Sequence, residues 1–248
     1  MGRTYGMEEH TMSTADNTKT VKVMSGLALE VAVNRWIKPG FESETSFVLD
    51  IDWRPTTALM KSIAAGDRAD VIIAITGAMD QLAEQGIIRS ESRKVLADAV
   101  LGVGVKAGAP RPDISSVDAF KTAMVSARGV AYSQAGASGI YFAGLMDKLG
   151  IADAVKEKAV VIPMGFTAEK VASGEADLAI QQISELISVP GIDVAGPFPD
   201  DIQVASTFEA ALFSDATEVA GGQGFIDALT TPAAGQAYTD GGLISRLA

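Results

Sequence analysis

At four places in this chain a serine or threonine stands between an apolar strand and a helix start rich in small residues. These are VKVMSGLALEVAV at Ser25, VLDIDWRPTTALMKSI at Thr56 and Thr57, VAYSQAGASGIYFAGL at Ser138 and Gly139, and VVIPMGFTAEKV at Thr167. The first turn of a helix carries N–H groups with no intrahelical acceptor, together with the positive end of the helix dipole, so it attracts an anion. A hydroxyl placed there adds a neutral donor. One such junction is an ordinary N-cap. Four of them, two in each half of the chain, predict helix ends converging on a small anion.

Other residues could add chemistry. Arg54 in the second junction offers a planar guanidinium fork, which matches a carboxylate bidentately and sits either at the mouth of a cleft or on an exposed loop beside Trp53. Gln181 and Gln182 end the apolar run LAIQQ, where their amides need partners, either a ligand or loop backbone. Tyr132 and Tyr141 read as core aromatics, and Glu185 as facing solvent rather than a cleft. The chain has no Cys and a single His, His10, in a polar stretch. Thiolate chemistry is thereby excluded, and neither a Ser-His-Asp triad nor a His-rich metal site is expected; no metal and no cofactor is predicted. Any acid–base group must then be a carboxylate, Tyr, Lys or water, with Glu185, Glu209 and Tyr132 as the candidates.

Composition bounds the partners. With 20 Lys and Arg against 31 Asp and Glu the formal net charge is −11, which disfavours nucleic acid and anionic membranes. A pocket of N–H dipoles can still be positive within an acidic protein. The first 20 residues hold no apolar run, so the chain as written carries neither a secretory signal nor a membrane span. A periplasmic location is expected if a leader was removed and a cytoplasmic one if the chain is complete; Met1, Met7 and Met12 read as alternative starts.

The elements that must position these residues alternate. Strands are expected at Val21–Met24, Phe47–Ile51 and Val71–Ile75, with helices at Leu27–Ile37 (stopped by Pro39-Gly40), Thr57–Ala65 and Ala78–Gln85. The pattern restarts after the strand Val100–Val105 and the Pro-rich turn GAPRPD. Helix Val117–Ala127, strand Val130–Tyr132, helix Gly139–Leu149, strand Val160–Pro163, a helix from Ala168 and strand Leu178–Ile180 follow. The segment GIDVAGPFPDD reads as a Pro-punctuated turn before a strand around Ile202–Leu212, and a final helix is interrupted by Pro232. SIAAGDRADVIIAI echoes KVASGEADLAIQQI, which suggests two related halves. The expected class is α/β: two doubly wound lobes joined by a two-strand hinge. Residues 1–20 form a disordered tail, 21–103 with 205–248 a discontinuous first lobe and 104–204 the second, with the ligand cleft between them.

Taken in order, AAGDRADVIIAI, VKAGAPRPDISSVDAFKTAM, GASGIYFAGLMDKLGIADAV, GEADLAIQQISEL, GPFPDDIQ and GFIDALTTPAAGQAY resemble the type 2 periplasmic-binding-protein fold, in its molybdate-binding-protein-like branch. The resemblance covers about residues 21–248. It implies two lobes with an anion in the cleft, and ligand positions near Ser25, Thr56 or Thr57, Ala137 to Gly139, Phe166 or Thr167, and Gln182. Two departures stand out: Gln182 occupies a position where that branch carries a Tyr, and Arg54 has joined the second loop. The implied ligand is therefore a small oxyanion or carboxylate, not molybdate in particular. The resemblance implies a monomeric solute-binding protein delivering its ligand to an ABC permease. The branch also includes aconitate isomerase-like proteins, so the alternative is a cofactor-independent isomerase that moves a double bond in a small polycarboxylate.

Overall fold

The computed structural model describes residues 19–247. Most of the predicted tail, and His10 with it, lies outside the described residues; Lys19 and Thr20 already belong to the first strand. Ten strands form the sheet: β1 (Lys19–Ser25), β2 (Phe47–Trp53), β3 (Val71–Ile75), β4 (Lys94–Lys106), β5 (Val130–Ser133), β6 (Ala159–Ile162), β7 (Leu178–Gln182), β8 (Ile192–Pro197), β9 (Ala205–Leu212) and β10 (Ile244–Ser245). The order is β2-β1-β3-β9-β4-β7-β5-β6, with β8 and β10 also paired to β4.

Strand β4 belongs to both halves. From Lys94 to Val100 it pairs antiparallel with β9, and from Leu101 onward it pairs with β7 and β8. The chain returns to the first half through Phe198 to Val204. Each half is covered on both faces, as the period-two alternation of its central strand requires. In β3, Val71 and Ile73 face one cluster with Leu29, Phe41 and Phe225, whereas Ile72 and Ala74 face another with Leu59, Ile63 and Met79. In β7, Leu178 and Ile180 face Phe120, Phe142 and Phe198, while Ala179 faces Ala168 and Val171. The sequence echo is realised in space: Thr56–Ala64 leads through Gly66 to β3, and Ala168–Ala172 leads through Gly174 to β7. The chain is thus α/β with two doubly wound halves.

Four local expectations need correction. The helix after β1 does not stop at Pro39-Gly40 but runs on as Lys38–Glu44. Proline lacks an N–H, and the preceding segment Val33–Ile37 widens into a π-turn in which Lys38 N–H reaches Val33 O, so the chain passes Pro39 without ending. Phe41, packed on Phe47 and Phe225, anchors the continuation. Second, part of the expected turn GIDVAGP is strand β8, because the adjacent edge of β4 is open to pair with it. Third, β4 begins at Lys94, six residues before the predicted start at Val100. Finally, the terminal helix is two, Val219–Ala228 and Pro232–Asp240, the second opening at Pro232 with Thr231 as its cap.

Candidate functional site

A cavity of about 490 Å³ lies between the two halves of the sheet. Three helices of at least two turns begin on it: Thr56–Ala64 and Thr76–Glu84 from the first half and Ala137–Leu149 from the second. None of the three has a side-chain cap on its first turn. Away from the cavity, Val117–Ser126 and Pro232–Asp240 are capped by Ser116 and Thr231, whereas Val219–Ala228 has no side-chain cap either. Apart from Ala58 N–H, which donates to Pro55 O at 2.9 Å, the first-turn N–H groups at the cavity are left to water or a ligand. Gly26 and Leu27, at the start of the irregular helix after β1, complete the ring, and Met60, Ile75, Ala78 and Phe208 give it an apolar wall.

Two contacts shape the second half of the lining. Gly139 sits so close to β5 that a Cβ there would lie 1.7 Å from Ser133 O, which seats the helix Ala137–Leu149 directly on the strand end. Ser133, at that end, lines the cavity and is 2% exposed, yet its Oγ has no hydrogen-bond partner among the described residues. A buried, unpartnered hydroxyl facing a cavity is a donor without its acceptor. Across the cleft, Thr57 Oγ1 donates to Ala135 O at 2.8 Å, a bond that joins one half to the other.

Of the residues singled out in the sequence, Thr56, Thr57, Ala137, Ser138, Gln181, Gln182 and Glu185 line the cavity. Ser25 is fully buried behind it, its hydroxyl turned to Gly26 O. Thr167 is likewise buried: its N–H and hydroxyl donate to Gln181 Oε1 at 2.8 and 2.9 Å, while Gln181 Nε2 donates to Gly165 O. Gln181 thus holds the loop that carries Gly165 to the cavity. Phe166 packs against the core of the second half, and Gly139 supports the site without lining it.

Arg54 is not part of the cavity. Its guanidinium is held by Asp52 and, at 2.6 Å, by Ser62 Oγ, in a separate depression with Asp50, Asp67 and Arg68. The carboxylate two residues back on the same strand captures it. Among the base candidates, Tyr132 packs edge-on against Phe142 in the core. Glu209 is buried in an ion pair with Arg93 at 2.7 Å and accepts from Thr76 Oγ1. Glu185, expected to face solvent, is only 9% exposed and opens onto the cavity, because the short helix Ile183–Leu186 packs on β4, β7 and β8. Burial pushes its carboxyl up to about 7, against hydrogen bonds from Gln181 and the Gln182 N–H; Glu30 adds to the rise.

The sequence reading missed Ser133, Gln81, Gly26 and Gly77. For Ser133 a signal existed: it closes the apolar run VAYS as Ser25 closes VKVMS. The other three became visible only when Thr76–Glu84 and the turn after β1 were seen to face the same cavity.

Two doubly wound halves, with helix N-termini from both turned into the space between them, define a binding protein of the two-lobed kind. The chain belongs to the family of bacterial extracellular solute-binding proteins, whose model matches residues 21–244. It is 34% identical over 215 residues to a Pseudomonas protein described as aconitate isomerase, covering 84% of this chain and 82% of that one. Among solved structures it is similar to the periplasmic molybdate-binding protein of Azotobacter vinelandii, with TM-score 0.75, 19% identity, and coverage of 90% of this chain and 98% of that one. It is also similar to the sulfate-binding protein of Mycobacterium tuberculosis, with TM-score 0.70, 14% identity, and coverage of 91% and 86%. These structures establish the type 2 periplasmic-binding-protein fold. No helix among the described residues is long and apolar enough to cross a membrane.

Proposed function

We propose that the protein captures a small oxyanion or carboxylate in the cavity between its halves and presents it to an ABC importer. The observation that carries this reading is the set of uncapped helix starts converging on one cavity, joined there by the unpartnered Ser133 hydroxyl. The ligand groups are first-turn N–H groups of the three helices, the hydroxyls of Thr56, Ser133 and Ser138, and the Gln182 amide, while the Thr57 hydroxyl is already donated to Ala135 O. Residues 21–103 with 205–248 close against 104–204 about the two crossings, β4 and the 198–204 segment. A charge-assisted hydrogen bond contributes about 1.5–3 kcal/mol. Five or six of them offset the costs of immobilisation and closure and leave on the order of 8 kcal/mol, which is micromolar binding. The test is calorimetric titration with molybdate, tungstate, sulfate, citrate, cis-aconitate and trans-aconitate. Micromolar binding of one of these, unchanged after incubation, is expected; failure of all six would overturn the reading.

A second reading is favoured by one observation, the buried carboxyl of Glu185 facing the cavity, in a chain similar to a protein described as aconitate isomerase. Ionised, Glu185 takes a proton from the methylene carbon beside the double bond of a small unsaturated polycarboxylate. The electron pair moves through the former double bond, and the carboxylic acid returns the proton at the far carbon, so that the double bond migrates with no net gain or loss. The helix N-termini hold the negative charge that develops on the substrate carboxylate. NMR of cis- or trans-aconitate incubated with the protein decides: interconversion that Glu185→Gln abolishes supports catalysis, and an unchanged spectrum excludes it for these substrates.

A further inference from the structure

The charge balance of the cavity is unusual for an anion site. Among the described residues, no Lys, Arg or His lines it, and its one ionisable side chain is a carboxyl, Glu185. The elements packed on the Glu185 helix are β4, β7, β8 and the start of the helix after β1. They bring Lys94, Asp98, Lys106, Asp193 and Glu30. Asp98 is committed to Thr207 and Arg246, and Asp193 accepts from the Gly108 N–H. Lys94 and Lys106 are the exposed end residues of β4. Of all these charges only Glu30 acts on Glu185, and it is a second carboxylate that opposes ionisation. Nothing charged in the lining compensates an ionised Glu185.

An anion entering this cavity meets a carboxylate that is itself buried, where like charges repel more than in bulk water. A proton removes the conflict. Protonated, Glu185 also becomes a donor and joins the N–H and hydroxyl groups around it. We propose that the cavity takes up its anion together with one proton, carried on Glu185. This rests on the reading of the cavity as an anion site. Protonation of Glu185 removes the one ionisable acceptor's charge from the lining. Burial already holds the empty-site carboxyl near neutrality, so the proton is taken from solution when binding occurs on the alkaline side.

The experiment is titration of the intact protein with sulfate, molybdate and cis-aconitate between pH 7 and 9, in two amine buffers of different ionisation enthalpy. Expected are uptake of close to one proton per ligand at pH 8.5 and an affinity that weakens by about tenfold per pH unit once Glu185 is ionised in the free protein. Glu185→Gln, neutral at every pH, should flatten this dependence. Binding with no proton uptake overturns the proposal and leaves the anion site standing, which is also the balance expected if Glu185 acts as an ionised base. A Glu185→Gln protein that keeps the wild-type slope places the proton elsewhere and overturns it too. Absence of binding by every probe overturns the anion-site reading, and the proposal with it. Should the variant not fold, the proton count on the wild type decides alone.

Discussion

A single hydroxyl separates a packing role from a binding role in this cavity. Thr167 and Ser133 are both buried small hydroxyl residues beside strand ends, but Thr167 is satisfied by Gln181 whereas Ser133 has no partner among the described residues. Removing Ser133 Oγ should therefore leave the empty protein at least as stable, since an unpaired buried hydroxyl is a cost. It should weaken anion binding by one to two orders of magnitude, about 1.5–3 kcal/mol for a bond to a charged acceptor. Thermal unfolding and titration of Ser133→Ala check both halves of this expectation. Arg54 gives the contrasting case. Its guanidinium is engaged by Asp52 and Ser62 outside the cavity, so Arg54→Ala should leave carboxylate affinity within about twofold, measured by the same titration. The sequence left Arg54 open between a ligand group and an exposed loop residue, and was silent on Ser133. Residue type showed what each side chain could bind, but the competing partner two residues away was settled only by the direction in which the side chain leaves the strand.

Among the elements, the helix Ala137–Leu149 is the most tightly constrained. It begins on β5 with Gly139 against the Ser133 carbonyl, and the lining of that half follows from this contact. A methyl group at 139 would stand 1.7 Å from a backbone oxygen, so the helix start would have to withdraw from the strand. Gly139→Ala should lower thermal stability by a few kcal/mol, about the cost of overpacking a core, and abolish binding. The same change at exposed Gly144, which has open space around it, serves as the control. Helix and strand positions were largely legible, because buried parallel strands such as VIIAI read as continuous β-branched runs and helix starts carry small polar residues. The ends were less so. The helix that runs through Pro39 and strand β8 with its internal glycine depend on a π-turn and an open sheet edge, and neither leaves a pattern in the local sequence.

For the whole molecule, buried carboxyls set opposite limits to stability. Asp70 lies between β1, β3 and the helix Val219–Ala228; burial pushes its carboxyl up, but hydrogen bonds from Glu218, Lys22 and Thr217 prevail and hold it below the ordinary carboxylate range. Its contribution is present above that range and is lost as pH falls through the lowered value. Glu185 works the other way. The folded chain keeps its proton between the ordinary 4.5 and about 7, while the unfolded chain has lost it, so stability drains away as pH rises through that window. Glu185→Gln should therefore stabilise the empty protein at pH 8 by on the order of 3 kcal/mol at most, seen as a higher unfolding temperature. The gain should fade towards pH 4.5. A pH series of melting curves for wild type and variant tests it; a gain independent of pH would mean that Glu185 is ionised in the folded protein or packs differently. The Thr57–Ala135 bond across the cleft ties the two halves in the arrangement seen here.

By itself, the sequence determined the α/β class, the two halves, their internal echo and the idea of helix ends meeting around an anion. All of these rest on periodicity, on apolar runs and on small polar residues at fixed offsets, which are local properties of a chain. Only the tertiary structure decided which helix ends meet, that Ser133 is left without a partner, that Arg54 and Glu209 are already paired, and that Glu185 faces inward. Those outcomes depend on which side chains, far apart in the chain, arrive within hydrogen-bonding distance once the sheet is assembled. A carboxyl has the same letter whether it ends beside an arginine or alone in a cavity, and that difference decides its chemistry.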